Sequence, residues 1–432
     1  MTLPEFSRVL RTRSVRTIVA IACGTLVAVP FGRAADRGSH SDWVATWGTA
    51  MAASDHGEAA DLTDQTLREI VHTSVGGRRV RVWLSNRFGT EPLHIGAAHI
   101  ALCVCGNTAV NADGSGNQSA IQPGSDRTLT FHQMASFTIA PGASIVSDPV
   151  ALNVPALSNV AVSLYFPKHT IASTEHFTAY QISYRVTGNE TDAATLAGKS
   201  WPVTSWYVLQ GMDVAAPGDS AVVAVGDSIT DGDNSTVNAN HRWPNYLAMR
   251  LAASPTARRA GLLGVVDAGI DGNRVLLNGY GPNAVARVDW DVLGRSGVRA
   301  LIVLESVNDI GRFETDHQPY ADLAERLEAG LAQLAAQAHQ HGIRVLAGTL
   351  TPYQESAYYS AAGEQVRQAV NRWIRTTHMV DGVVEFDKAV RDPGNPLHYA
   401  PKYDSGDHLH PNDAGYKAMA GAIDLSLLTK KK

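Results

Sequence analysis

The sequence predicts two folds in one chain: an all-β sandwich or jelly roll, followed by an α/β domain built on a parallel sheet. Two observations carry this. From Asp42 to about Val208, short runs alternate apolar and polar residues between Gly, Pro and Asn turn signals, the pattern of many short half-buried strands. From Ser220 onward, wholly apolar runs alternate with longer helix-period stretches, as in strands buried on both faces and joined by helices. A chain of 432 residues, 44% hydrophobic and 18% charged, exceeds a typical single domain and can bury large cores.

The first element, residues 1–34, reads as an export signal. Arg8, Arg11, Arg13 and Arg16 precede a mostly apolar stretch over 17–31 that is too short to span a bilayer comfortably, and Gly32-Arg33-Ala34 suits cleavage before Ala35. The alternative is an uncleaved anchor. Cys23 sits where a lipoprotein box could be sought, but the apolar segment continues past it to Phe31; no Arg-Arg pair marks twin-arginine export. The expected location is secreted or periplasmic, with no stable membrane anchor after cleavage. Without residues 1–34 the formal charge changes from −5 to −9, with no basic stripe, so nucleic acid is not an expected partner.

Residues 42–208 form the expected sandwich. Arg79-Val80-Arg81-Val82-Trp83-Leu84, Thr128-Leu129-Thr130-Phe131 and Val160-Ala161-Val162-Ser163-Leu164-Tyr165 alternate, with turn signals at Gly76-Gly77, Gly106-Asn107, Pro123-Gly124 and Pro141-Gly142. Cys103 and Cys105 would share a face on a regular strand, a poor geometry for a disulfide, whereas a turn at Gly106-Asn107 would let them pair. Residues 209–219, with Gly211, Pro217 and Gly218, read as a linker. In the α/β domain, 220–432, strands are expected near 221–225, 263–268, 300–304, 345–350 and 383–386. Helices are expected near 243–253, 284–293, 320–341 and 364–376, with a last one over 414–428 capped by Asn412 or Asp413.

The chemistry lies in two strings. Gly226-Asp227-Ser228-Ile229-Thr230 ends the apolar run 221–225, which puts Ser228 at the carboxyl edge of a central strand. Asp407-His408-Leu409-His410-Pro411 supplies a histidine three residues after an aspartate. A serine hydroxyl needs a base to become nucleophilic, and an aspartate can orient that base. Gly218-Asp219-Ser220 repeats the first string but precedes the apolar run, so Ser220 belongs to a turn. His408 and Asp404 are decoys in the second; Asp404 reads as a residue that hydrogen-bonds its own loop. Asp231, Asp233, Asn234 and Asn238 could form a cation loop, but a polar loop before the helix at Trp243 is the favoured reading. There is no His-Glu-x-x-His string, no Cys-x-x-Cys pair and no Walker lysine after Gly226.

Taken in order, these strings resemble the blocks of the SGNH, or GDSL, hydrolase superfamily. Gly226-Asp227-Ser228 matches the first block, Gly269-Ile270-Asp271-Gly272-Asn273 resembles the second, Ser306-Val307-Asn308-Asp309 the third, and Asp407 with His410 the last. The resemblance covers roughly 220–428. It implies a flavodoxin-like three-layer domain, with Ser228, His410 and Asp407 as catalytic residues. The Ser228 N–H, the Gly272 N–H and the Asn308 amide would form the oxyanion hole. It implies no cofactor and no metal. The family has glycine where this chain has Ser306; the expectation is that the backbone there is ordinary and suits serine. Trp43-Val44-Ala45-Thr46-Trp47 and Leu84-Ser85-Asn86-Arg87-Phe88-Gly89 look like motifs of secreted bacterial members that carry an extra jelly roll. That region is expected to shape the cleft, with carbohydrate binding as the sharper alternative. The implied activity is hydrolysis of a carboxylic ester in a small molecule or polysaccharide: short-chain acyl, lipid or acetyl. The alternative is a GDSL-fold binding protein that has lost activity.

Overall fold

The computed structural model describes residues 42–54, 60–105, 119–197, 200–312 and 322–429. The expected export signal and the turn at Gly106-Asn107 lie outside them.

Five parallel strands lie side by side in the order Leu262–Gly269, Ser220–Gly226, Val298–Leu304, Arg344–Gly348 and Gly382–Val384. Numbered along the chain this is 2-1-3-4-5, a doubly wound order whose ligand site lies at the carboxyl ends of the strands. The strand Ser220–Gly226 shows why its run must be apolar throughout. Ala221, Val223 and Val225 enter a core that includes Leu327, Leu331 and Leu334 of the helix Leu323–Gln340. Val222 and Ala224 enter the opposite core, with Trp243, Leu247, Phe386 and Tyr416. Both faces are therefore covered.

The helices Trp243–Ala253 and Ala361–Thr376 fall where expected, the second capped by Ser360, whose side chain accepts from the Gly363 N–H. The expected helix over 284–293 is Ala284–Val288 followed by one wider, π-helical turn, Asp289–Leu293. The expected last helix is broken into Asp413–Ala422, capped by Asn412, and Leu425–Thr429. Asp424 accepts from the Ser426 N–H at 2.8 Å, and such a local side-chain bond competes with helix continuation.

The preceding region is antiparallel. One sheet runs Trp43–Gly48, Leu209–Ala215, Gly77–Ser85, Val150–Val154, with Ser144–Val146 also paired to Gly77–Ser85. A second runs Trp201–Val203, Ser183–Thr187, Gln65–His72, Asn159–Phe166, Ala97–Leu102, Arg127–Thr128. Val80, Val82 and Leu84 of the first share a core with Leu67, Val71, Val160, Val162 and Leu164 of the second, the inward half of each alternation.

Two expectations are corrected here. Residues 209–219 are not a linker. Leu209–Ala215 is an interior strand, paired on both sides, with Leu209, Met212 and Val214 buried. Gly211 suggests a break in sequence, but it makes room for the Arg295 guanidinium. A Cβ at 211 would lie 2.6 Å from Arg295 Nη1, which donates to the Gln210 carbonyl at 2.8 Å. Only 216–219 turns the chain into the parallel sheet. The alternation over 128–131 is likewise mostly not strand: the strand ends at Thr128, Phe131 makes only an isolated bridge to Met134, and His132 and Gln133 take left-handed φ values of 53° and 63° that turn the chain away. Cys103 and Cys105 form a disulfide, with Cα atoms 5.1 Å apart. The strand ends at Leu102, so the shared-face geometry does not arise.

The antiparallel and parallel parts pack as one compact unit. Ala45 N–H donates to the Ser296 carbonyl at 3.0 Å, and Val265 N–H donates to Ser74 Oγ at 2.9 Å. A Cβ on Gly264 would lie 2.5 Å from the Ala45 carbonyl. The outer edge of the strand Leu262–Gly269 is thus covered by the antiparallel layer, which removes an open sheet edge. The aromatic residues of the first motif pack within the antiparallel layer: Trp47 meets Trp206 edge-on at 5.0 Å, and Arg81 covers Trp43 at 4.5 Å.

Candidate active site

The strand Ser220–Gly226 stops because Asp227 caps a single helical turn, Ser228–Asp231, its side chain accepting from the Ile229 N–H at 3.0 Å. Gly226 is required at this elbow: a Cβ there would collide with the Leu304 carbonyl and Thr230 Oγ1. Ser228 is buried, 3% exposed, and its Oγ lies 2.8 Å from His410 Nε2. His410 Nδ1 lies 2.6 Å from Asp407 Oδ2. Ser220, by contrast, starts the strand at the opposite edge and donates to the Gly261 carbonyl at 2.6 Å.

Both carboxylate oxygens of Asp407 are held by hydrogen bonds. Its Oδ1 accepts from the N–H groups of Leu409 and His410 and from Ser405 Oγ, each at 2.9 Å, and Asn234 Nδ2 donates to Oδ2 at 2.9 Å. Burial alone would raise its carboxyl, but the hydrogen bonds from His410 and Leu409 hold it well below the usual carboxylate range. Burial alone would lower His410. The Asp407 hydrogen bond and the charges of Asp233, Asp407 and Asp227 outweigh it and leave the imidazole above its ordinary value. With Nδ1 donating to Asp407, Nε2 is the nitrogen left to accept a hydrogen bond from Ser228 Oγ. The decoys pair with each other: His408 Nδ1 lies 2.6 Å from Asp404 Oδ2, and Asp404 Oδ1 accepts from the Gly406 N–H at 2.8 Å.

Gly272 lies in the loop that follows the strand Leu262–Gly269, and Asn308 in the short helix Val307–Gly311 that follows Val298–Leu304, either side of the elbow. Gly272 has φ 69° and the Tyr280 ring fills the space a Cβ would need. Asn308 is buried and donates through Nδ2 to the Asn273 carbonyl at 3.0 Å; an amide nitrogen carries a second donor. Asp309 accepts from the N–H groups of Val275 and Leu276 at 2.8 and 3.2 Å, which ties this helix to the loop carrying Gly272.

Ser306 contradicts expectation. Its φ is 110° with ψ −17°, its side chain is buried, and its Oγ has no hydrogen-bond partner. This is glycine territory, and a serine there costs of order 1–3 kcal/mol. The turn itself still forms, with Ile310 N–H donating to the Ser306 carbonyl at 3.1 Å.

The polar loop after the elbow is taken up by protein groups. Asp231 accepts from Thr178 Oγ1 at 2.7 Å and lies 3.0 Å from His176 Nε2. Asp233 accepts from the Tyr180 hydroxyl, and Asn238 Oδ1 from the Ile182 N–H and Gln181 Nε2, both at 2.7 Å. Four residues that matter here carry no sequence signal. His176, Thr178 and Tyr180 come from the antiparallel part, 53 to 55 residues before their partners. Arg287 is fully buried and donates to the Ala268 and Gly226 carbonyls at 2.7 and 3.0 Å and to Asn273 Oδ1 at 3.1 Å. It fixes the ends of two strands and the loop carrying Gly272, with its charge balanced by Asp291 at 2.9 Å.

Burial raises three carboxyls around the elbow, Asp227 to about 7 and Asp271 and Asp309 to about 6. Arranged this way, the site can generate a nucleophilic serine and receive a developing oxyanion.

Residues 224–418 match the family model of the GDSL-like Lipase/Acylhydrolase family. No curated protein matches the chain. Among solved structures, an alpha/beta hydrolase enzyme from the metagenome of Lake Arreo, Spain, is 24% identical and superposes with TM-score 0.36 over 47% of this chain and 92% of that one. A GDSL-like lipase from Bacteroides thetaiotaomicron is 20% identical, with TM-score 0.34 over 48% and 87%. An acetylxylan esterase from Geobacillus stearothermophilus is 20% identical, with TM-score 0.36 over 48% and 93%. The assignment rests on the family match together with the elbow and its loops: residues 224–418 belong to the GDSL-like lipase/acylhydrolase family, and the protein is a carboxylic ester hydrolase.

Proposed function

We propose that the protein is an exported serine esterase that cleaves short acyl or acetyl esters through an acyl-enzyme. The observation that carries this is the unbroken chain from Ser228 Oγ to His410 at 2.8 Å and on to Asp407 at 2.6 Å. In this reading His410 Nε2 takes the Ser228 proton as Oγ attacks the ester carbonyl carbon. The carbonyl oxygen becomes an oxyanion, received by the Ser228 N–H, the Gly272 N–H and Asn308 Nδ2. Collapse breaks the bond to the alcohol, which leaves with the proton from Nε2. Water then repeats the sequence on the acyl-enzyme and frees the acid. Asp407 stays ionised and holds the ring.

The wall beside Gly272 favours a short acyl group. Tyr280 packs onto Gly272, Phe177 backs it at 5.8 Å, and the Arg312 guanidinium lies over it at 4.9 Å. The Cys103–Cys105 disulfide suits the oxidising compartment that export would reach.

A panel of p-nitrophenyl esters from acetate to decanoate, with acetate release from acetylated polysaccharides alongside, tests the reading. The expected result is turnover that falls with acyl length and does not respond to strong chelators. No turnover on any ester, or turnover that a chelator removes and a divalent cation restores, would contradict it.

A further inference from the structure

We propose that Asp233, clamped by Tyr180 of the antiparallel layer, is a positioning residue for the hydrolysis: a second carboxylate that steadies the charged ring of His410 while it carries the serine proton. The inference rests on the reading of His410 as the base.

The geometry is specific. Asp233 Oδ2 lies 3.5 Å from His410 Nε2, the nitrogen opposite the one bonded to Asp407. At this distance it is too far to take the proton and close enough to feel the charge. The imidazole is therefore bracketed by two carboxylates, one hydrogen-bonded at Nδ1 and one facing Nε2. Asp233 is also held in place. Its Oδ1 accepts from the Tyr180 hydroxyl, its N–H donates to the Ser228 carbonyl at 2.9 Å, and its own carbonyl accepts from the Tyr416 hydroxyl at 2.6 Å. With Oδ1 occupied, Oδ2 is the oxygen left to face the ring.

Tyr180 is aimed at this contact by its backbone. It has φ 45°, and its carbonyl accepts from the Asn238 N–H at 2.9 Å, which fixes the turn over the loop. Its hydroxyl keeps its proton, because burial and the Asp233 charge both raise it far above the ordinary tyrosine value. The proton path is unchanged by Asp233: it runs from Ser228 Oγ to Nε2 and on to the leaving alcohol. Asp233 lowers the energy of the imidazolium between those two transfers.

The other titratable groups facing the ring are Asp407 from its own loop, Asp227 from the elbow and Asp271 from the loop after Leu262–Gly269. All three remain in the variants below. The Asp233 side chain is 26% exposed, so solvent screens it and a shift of about one pH unit is expected when it is neutralised.

The test is kcat/KM against pH on p-nitrophenyl acetate for the full chain, Asp233→Asn, Tyr180→Phe and the double variant, with melts to verify folding. A raised imidazole needs a higher pH to become a base, and the acid limb reports it in the free enzyme. Asp233→Asn is expected to move that limb down by about one pH unit and to lower plateau kcat with little change in KM. Tyr180→Phe, which only frees the carboxylate, is expected to move the limb the same way by less. It should add nothing in the Asp233→Asn background. An unmoved limb in Asp233→Asn overturns the proposal. So does a loss confined to certain alcohol groups with the limb in place, which would make Asp233 a substrate contact. If Asp233→Asn does not fold, the limb of Tyr180→Phe decides alone. Activity surviving in His410→Ala would instead overturn the assignment of the base.

Discussion

The carboxyl edge of the parallel sheet and the antiparallel segment 174–181 converge on one loop, yet they are built by opposite means. The edge supplies Ser228, Gly272 and Asn308 from turns that directly follow three adjacent strands. Each is placed by its own strand end, and Arg287 and Asp309 tie those ends together from within the same layer. The antiparallel segment supplies His176, Thr178 and Tyr180, which bond Asp231 and Asp233 from 53 to 55 residues away. Nothing local fixes these contacts; they exist because the Trp43–Gly48 and Leu262–Gly269 strands pack together. The comparison teaches that the proposed reacting groups belong to one layer while the loop that carries the elbow is braced by the other.

The sharpest way to break this division is at the elbow. Ser228→Ala should lower turnover by about a million-fold with an unchanged melt, while Ser220→Ala stays within about twofold of the parent. Equal losses would mean that the strand end does not select the nucleophile. Next in size, Asn308→Ala should cost about a hundred- to a thousand-fold in kcat with KM nearly unchanged. A loss in KM alone would remove Asn308 from the oxyanion hole.

Substitutions in the antiparallel segment should act on stability more than on rate. Thr178→Ala removes a hydrogen bond to a carboxylate and should cost about 1.5–3 kcal/mol, read as a shift of the denaturation midpoint. The His176–Asp231 contact adds a pH signature. Burial opposes the charge on His176, but Asp231 outweighs it and raises the imidazole above its ordinary value. A raised folded value means that its contribution is complete below the unfolded value of about 6.5 and is lost as the pH climbs through the folded one. His176→Gln should flatten that part of the stability profile; an unchanged profile would show that the contact carries no charge.

The smallest effect concerns Ser306, where the edge departs from its own pattern. Ser306→Gly should relieve strain of order 1–3 kcal/mol against an unfolded-state entropy cost of about 0.4–1 kcal/mol. The expected net gain is about 1 kcal/mol, read as a raised melting temperature, with turnover equal or higher. A loss of stability would mean that the serine is not strained.

What the sequence makes legible follows the same division. Ser228, Asp407 and His410 could be read because an apolar run ending in Gly-Asp-Ser and an Asp-x-x-His spacing both state where the side chain must sit. The parallel strands could be read for the same reason. Gly211 misleads because a glycine inside a strand and a glycine in a linker look alike until Arg295 is seen crossing it. Ser306 misleads because a residue type does not reveal its φ. Arg287 is invisible because its partners are mainly backbone carbonyls and loop side chains gathered by the fold. Tyr180 is invisible because its partner lies across the seam between layers.

The central claim is that Ser228 is the nucleophile, made so by His410. Labelling the native protein with a fluorophosphonate and mapping the adduct by mass spectrometry tests it most directly. The account predicts one adduct on the peptide carrying Ser228, formed faster as the pH rises through the His410 titration and absent in Ser228→Ala and sharply slowed in His410→Ala. An adduct on Ser220, or labelling of Ser228 at the same rate without His410, would contradict it.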